Sequence, residues 1–211
     1  MAILTIPSGP AFTETRFGLT SNTQAALISP INRTAQLLEL PGARWKAAYE
    51  LPSMSRNEAV AWQAFLVQLR GRAGEFYGYD PDARTARGTA KDKTFGTLKI
   101  STDPPGQTGA ALVAVGAGAS ETGVFLKGDY LAYDVGAGRQ LHMVTSDVNA
   151  DGTGGMTIPI EPPIRTPPAG NENLITTDAS CVMHLVDDEI GWDANRISRY
   201  GMRFEAIEVF A

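Results

Sequence analysis

The sequence predicts a mainly β protein with one α-helix and a separate all-β unit set into the middle of the chain. Three observations carry that reading. Short runs with a period of two recur along most of the chain, as half-buried strands require. One stretch, behind Ser55, switches to the three- and four-residue spacing of an amphipathic helix. Two stretches poor in large apolar residues, 80–93 and 162–172, bracket a middle third with its own strand-like runs. The 22 Gly and 13 Pro among 211 residues fit many turns and short strands.

The elements follow in order. Residues 2–29 are rich in Thr, with Phe12, Phe17 and Leu19 as apolar marks; an extended arm and a sheet strand fit equally well. Pro30-Ile31-Asn32 reads as a turn. Residues 34–40 are strand-like, and Pro41-Gly42 is a turn signal, so this run is expected to form a hairpin with residues 44–51. In 44–51, Trp45, Ala47, Tyr49 and Leu51 alternate with Arg44, Lys46 and Glu50. Pro52 stops that strand because it has no N–H to donate. Ser55 and Glu58 fit a capping box, hydroxyl to backbone N–H and carboxylate back to backbone N–H. Ala59, Trp62, Phe65, Leu66 and Leu69 then form one apolar stripe, with Gln63, Gln68 and Arg70 on or near the polar side. Such a stripe more often covers its own sheet than binds a partner. Gly71 stands where a left-handed helix end is expected. Phe76, Tyr77 and Tyr79 begin another strand.

Within 94–161, strand-like runs at 97–100, 112–115, 123–126, 130–133, 140–144 and 156–160 are separated by Gly or Asp turns. That spacing suggests a small barrel or sandwich. The tail returns to the first style, with a strand at 179–186, a turn at 187–193 and an alternating run at 197–210. The last ~40 residues are expected to complete the sheet begun by the first ~80, since close termini tolerate an insertion. The expected division is 1–84 with 169–211 as one unit and 85–168 as the inserted barrel.

Charge and motifs narrow the function. A net charge of −5 suits poorly a protein that grips phosphates, although Arg70, Arg72, Arg84 and Arg87 cluster in sequence. Cys181 is the sole cysteine, which excludes an internal disulfide and multi-thiolate zinc sites. The first residues lack the basic and apolar regions of a signal peptide, and no apolar run approaches a membrane span. Asp147, Asn149, Asp151 and Gly152 imitate the front of a calcium loop, but the twelfth position is Ile158 rather than Glu; a polar hairpin turn is expected. His142 and His184 both lie in strands. Cys181 and His184, three apart on one strand, point to opposite faces. Asp187, Asp188 and Glu189 read as a solvated turn. The glycine runs at 115–118 and 135–138 lack the Lys-Ser/Thr ending of a phosphate loop. No catalytic, cofactor or metal residues are expected, and no enzyme.

One segment resembles a known family. Glu50-Leu51-Pro52-Ser53-Met54-Ser55-Arg56-Asn57-Glu58-Ala59, then Ala61-Trp62-Gln63-Ala64-Phe65-Leu66 and Leu69-Arg70-Gly71-Arg72-Ala73-Gly74, resembles the distal-tail or tail-hub proteins of long-tailed bacteriophages and prophages. A looser likeness runs through Leu126-Lys127-Gly128-Asp129-Tyr130-Leu131, the turn at 147–154 and Tyr200–Glu205. The resemblance implies a tail-tube-like β-sandwich with one flanking helix, carrying an outward barrel of oligonucleotide/oligosaccharide-binding or galectin-like type. It implies a virion protein at the tail tip, made in the host bacterial cytoplasm. Six copies would form a ring joining the tail-tube protein to the hub and tip proteins, with the tape measure protein nearby and DNA only in transit. An acidic balance suits such a channel, since like charge weakens adsorption.

The alternative is a carbohydrate-binding module for host adhesion, acting through Phe125, Tyr130 and Tyr133 of the insert. A third possibility, a hydrolase using Asp187 or Glu189, has little behind it in the sequence.

Overall fold

The computed structural model describes residues 2–28 and 30–210; Met1, Ser29 and Ala211, which end ranges expected above, lie outside the described residues. The strands are β1 (Leu4–Thr5), β2 (Glu14–Thr20), β3 (Thr23–Ile28), β4 (Ala35–Glu39), β5 (Arg44–Glu50), β6 (Phe76–Gly78), β7 (Lys99–Ile100) and β8 (Gly109–Val115). They continue as β9 (Tyr130–Val135), β10 (Gly138–Val144), β11 (Gly155–Ile164), β12 (Cys181–Leu185), β13 (Asp193–Ala194), β14 (Tyr200–Gly201) and β15 (Arg203–Glu208). Helix α1, Arg56–Leu69, is the one α-helix among the described residues. The chain is mainly β, as its periodicity predicts.

The two ends of the chain share one six-stranded sheet, ordered β1-β6-β12-β15-β5-β2. The last strand, β15, lies inside it, with Phe204 opposite Tyr49 and Ala206 opposite Ala47 on β5. On its other side Ala206 faces Leu185 of β12. The expected hairpin of 34–40 with 44–51 does not form. Both edges of β5 are taken by distant strands, β15 and β2, and β4 pairs with β3 instead. The reason lies in the side chains. Trp45, Ala47 and Tyr49 give β5 one continuous buried face, matched by Phe17 and Leu19 on β2. On β4, adjacent Leu37 and Leu38 point to opposite faces and stay 74% and 56% exposed. The expected run at 197–210 is also shorter: Ile197 lies outside the strands and is exposed, and pairing in the large sheet begins at Arg203.

Helix α1 lies over the β5–β15–β6 part of this sheet. Its predicted stripe of Ala59, Trp62, Phe65, Leu66 and Leu69 is buried. Phe65 packs on Phe76 at 5.5 Å and Trp62 on Phe204 at 6.2 Å between ring centroids. At the helix start Glu58 reaches back to the Ser55 backbone N–H at 2.8 Å, and the Ser55 hydroxyl donates to the same carboxylate oxygen. At the other end the left-handed residue is Arg70 (φ 52), one earlier than the expected Gly71, and Gly71 (φ 68) continues the reversal. Gly71 is required there: a Cβ would stand 2.7 Å from Asp188 Oδ1 and 3.0 Å from its Cα.

The middle of the chain forms a second sheet, ordered β7-β8-β11-β10-β9. The returning segment closes it. Asn173 bridges Lys99 of β7, and Ile175 bridges Ala132 of β9, with Leu174 N–H donating to Leu98 O at 3.0 Å. The returning segment therefore bridges both edge strands of this curled, half-barrel sheet, called the barrel below. Leu112, Phe125, Leu131, Tyr133, Val144 and Ile158 fill its interior. Three expectations need correction here. Residues 123–126 are not a strand and make a single bridge from Phe125 to Val148. Pro162 and Pro163 belong to β11, so the stretch from 162 is not simply a linker. The stretch 80–93 is not a free linker either: it folds into two short 3-10 turns, and Ala86 and Ala90 enter the barrel core. Small alanines fill space that a scan for large apolar residues passes over.

Candidate functional site

The motifs that suggest chemistry are used up locally. In the calcium-like loop, Asp147 Oδ1 accepts from Lys127 N–H at 2.9 Å, and Asn149 Oδ1 accepts from Gly123 N–H at 2.7 Å. Asp151 Oδ1 accepts from the Thr153 hydroxyl and N–H, both at 2.7 Å, and from Gly155 N–H at 2.9 Å. Those bonds, the Thr153 hydroxyl first, hold the Asp151 carboxyl below its usual range. The loop is a turn whose side chains satisfy backbone N–H groups. The run at 135–138 is likewise a turn: β9 and β10 join there, with Gly136 at φ 58.

His142 is sealed inside the barrel. Its Nδ1 lies 2.6 Å from Pro162 O, which can only accept, so that nitrogen carries the proton. Its Nε2 then accepts from the Tyr133 hydroxyl at 3.3 Å, and the two rings stack at 5.3 Å. Burial pushes the imidazole down to about 4. His184 uses Nδ1 on Leu185 O at 2.7 Å. Cys181 is buried against Gly78 O, and burial pushes its thiol up.

The carboxylates at 187–189 also serve structure. Asp188 Oδ1 accepts from Arg72 N–H at 3.0 Å and so fastens the turn after α1. Asp187 lies 3.8 Å from the Arg72 guanidinium. Asp187 and Glu189 do line one cavity of about 240 Å³, with Arg203 and Glu205 above Leu66 and Phe204. The sequence cluster of arginines is dispersed as well: Arg72, Arg84 and Arg87 each face an aspartate. The aromatic residues expected to meet a glycan, Phe125, Tyr130 and Tyr133, are all buried, so none of them presents a face to a ligand.

Two features escape a linear reading. The first is the junction between sheet and barrel. Glu208, fully buried at the end of β15, accepts from Trp45 N–H at 3.0 Å and pairs with the Arg165 guanidinium beyond β11. Arg165 also donates to Ala43 O at 3.1 Å and stacks on Phe210 at 4.4 Å. Burial pushes the Glu208 carboxyl up, against the pull of Arg165. Beside this pair, the Trp45 indole N–H donates to Leu141 O of the barrel at 2.8 Å, and its ring packs edge-on to Tyr130 at 5.6 Å.

The second is a cavity of about 440 Å³ beside β6, closed on one side by the N-terminal segment. Phe12, Tyr77 and Tyr79 line it with Arg84, Arg139 and Asp178. Arg139 stacks on Tyr77 at 4.6 Å and Arg84 on Tyr79 at 5.0 Å. Each guanidinium is also tied to a carboxylate, Arg84 to Asp178 and Arg139 to Asp134, both at 2.7 Å. These residues span Phe12 to Asp178, and no spacing in the sequence groups them.

Neither a family model nor a curated protein matches this chain. Among the described residues no helix is long and apolar enough to cross a membrane, and no group of His, Cys, Asp and Glu forms a metal cluster.

Proposed function

We propose that this protein is a structural component of a long-tailed phage tail tip. Six copies form a ring that joins the tail tube to the hub and tip proteins and lets DNA pass. The reading rests on the resemblance carried by Glu50 to Gly74 and on one structural observation. The large sheet ends in a seven-residue strand, β2, and beside it the β3–β4 hairpin leaves Leu37 and Leu38 exposed on opposite faces. A strand edge and an apolar hairpin of this kind are surfaces on which copies of a chain associate. The tail-tube, tip and tape measure proteins are the partners, and the location is the virion.

Purified phage particles should contain the protein by mass spectrometry, and light scattering should find a hexamer, alone or with a tail partner. Replacing both leucines, Leu37→Glu with Leu38→Glu, should abolish assembly and leave the melting temperature of the single chain unchanged. A protein absent from particles, and monomeric with every tail partner, overturns the reading.

A further inference from the structure

We propose that the cavity beside β6 binds a neutral saccharide unit. Its size comes first: about 440 Å³ falls within the roughly 300–1,000 Å³ of clefts that take small ligands. The lining combines aromatic rings with fixed polar groups. Phe12 stacks on Tyr49 at 4.7 Å, which holds its ring still, and Tyr77 and Tyr79 are half-buried. Aromatic carbon of this kind suits the C–H faces of a pyranose.

The polar groups are held in place before any ligand arrives. Each guanidinium is pinned between a tyrosine ring and a carboxylate, which preorganises its remaining N–H donors. Arg139 Nη1 also donates to the Ser180 hydroxyl at 3.1 Å. Ser180 is 3% exposed and lines the cavity; that bond leaves its own proton to be donated. The Arg84–Asp178 pair shows a donor and an acceptor side by side. A vicinal diol matches such a pair, giving one O–H to the carboxylate and receiving an N–H from the guanidinium. The charges decide the ligand class. Each guanidinium is already paired with a carboxylate, Arg84 with Asp178 in the lining and Arg139 with Asp134 outside it, so neither charge is left over for an anion, and a neutral polyol fits best. The site differs from the expected glycan surface on the barrel, whose aromatic residues are buried.

The test uses the full chain and a panel of probes: glucose, galactose, N-acetylglucosamine and their β-linked dimers, with glucuronate as the anionic counterpart. Saturation-transfer NMR and tryptophan fluorescence should find at least one neutral sugar that saturates at millimolar concentration or below. Arg84→Gln and Asp178→Asn should each weaken it by about tenfold or more, since each removes one charge-assisted hydrogen bond. Both side chains are about half exposed, and Asn accepts the left-handed backbone at 178 (φ 52), so both variants should melt as the parent does. The proposal is overturned if no neutral sugar binds, if glucuronate binds more tightly than the neutral sugars, or if binding is unchanged in both variants.

Discussion

In the barrel both edge strands are bridged by the returning segment, whereas the six-stranded sheet stops at β1 on one edge and β2 on the other. The barrel also has its apolar residues on the inside, where they fill the interior. The sheet covers one face with α1 and the barrel itself, and its opposite face carries Lys46 and Glu205, 3.1 Å apart and open to solvent. The contrast separates two ways of managing a strand edge. Closure satisfies every ladder within one chain. An open sheet leaves hydrogen-bonding groups that water or a neighbouring chain must satisfy. The two regions meet at a buried ion pair, so the stability of one is tied to the other through a charged contact.

Cutting that contact should give the largest effect. Glu208→Ala or Arg165→Met leaves a buried charge without its partner and should cost about 3–5 kcal/mol in urea denaturation. Calorimetry should then resolve two transitions, barrel and sheet, in place of one. Replacing both residues with apolar ones should recover much of the loss. A change below about 1 kcal/mol in both single variants would mean that Trp45 and Tyr130 couple the regions without help from charge.

A pH titration sharpens the comparison next, because His142 belongs to the barrel alone. Burial holds the imidazole at about 4, against 6.5 for the free side chain. Above 6.5 both folded and unfolded chains are neutral at this position and no penalty applies. Between about 6.5 and 4 the unfolded chain takes up a proton that the folded one refuses, so stability falls with pH by about 3 kcal/mol, and below 4 the loss levels off. His142→Gln should flatten that part of the profile. If the profile keeps its slope in the variant, another group is responsible.

The smallest effect belongs to the sheet side. Ser55→Ala at the start of α1 should cost about 1 kcal/mol, read from denaturation midpoints. Combined with Arg165→Met, which separates the two transitions, it should lower the one assigned to the sheet and leave that of the barrel in place.

What could be read from the sequence followed the range of each signal. The helix stripe and the alternation at Trp45, Ala47 and Tyr49 are local patterns, and both are as predicted. The pairing of β5 depends on strands far away in sequence, so Pro41-Gly42 misled by suggesting a neighbour. The closing segment of the barrel was not legible, because Asn173 and Ile175 make single bridges and no alternating run. Periodicity also says which residues share a face but not what covers that face, so Phe125, Tyr130 and Tyr133 passed for surface aromatics. The cavity and the Arg165–Glu208 pair were invisible because each is assembled from distant parts of the chain.

The place of β15 inside the large sheet has a consequence for synthesis. As the chain leaves the ribosome, the barrel has all its strands once residue 177 has emerged, while the strand that joins β5 to β12 begins 26 residues later, at Arg203. At elongation speeds of about 5–20 residues per second that gap lasts about 1–5 s. During it β5 and the aromatic face of α1 wait beside a finished barrel, and a nascent chain stalled there would be the one that chaperones have to shield.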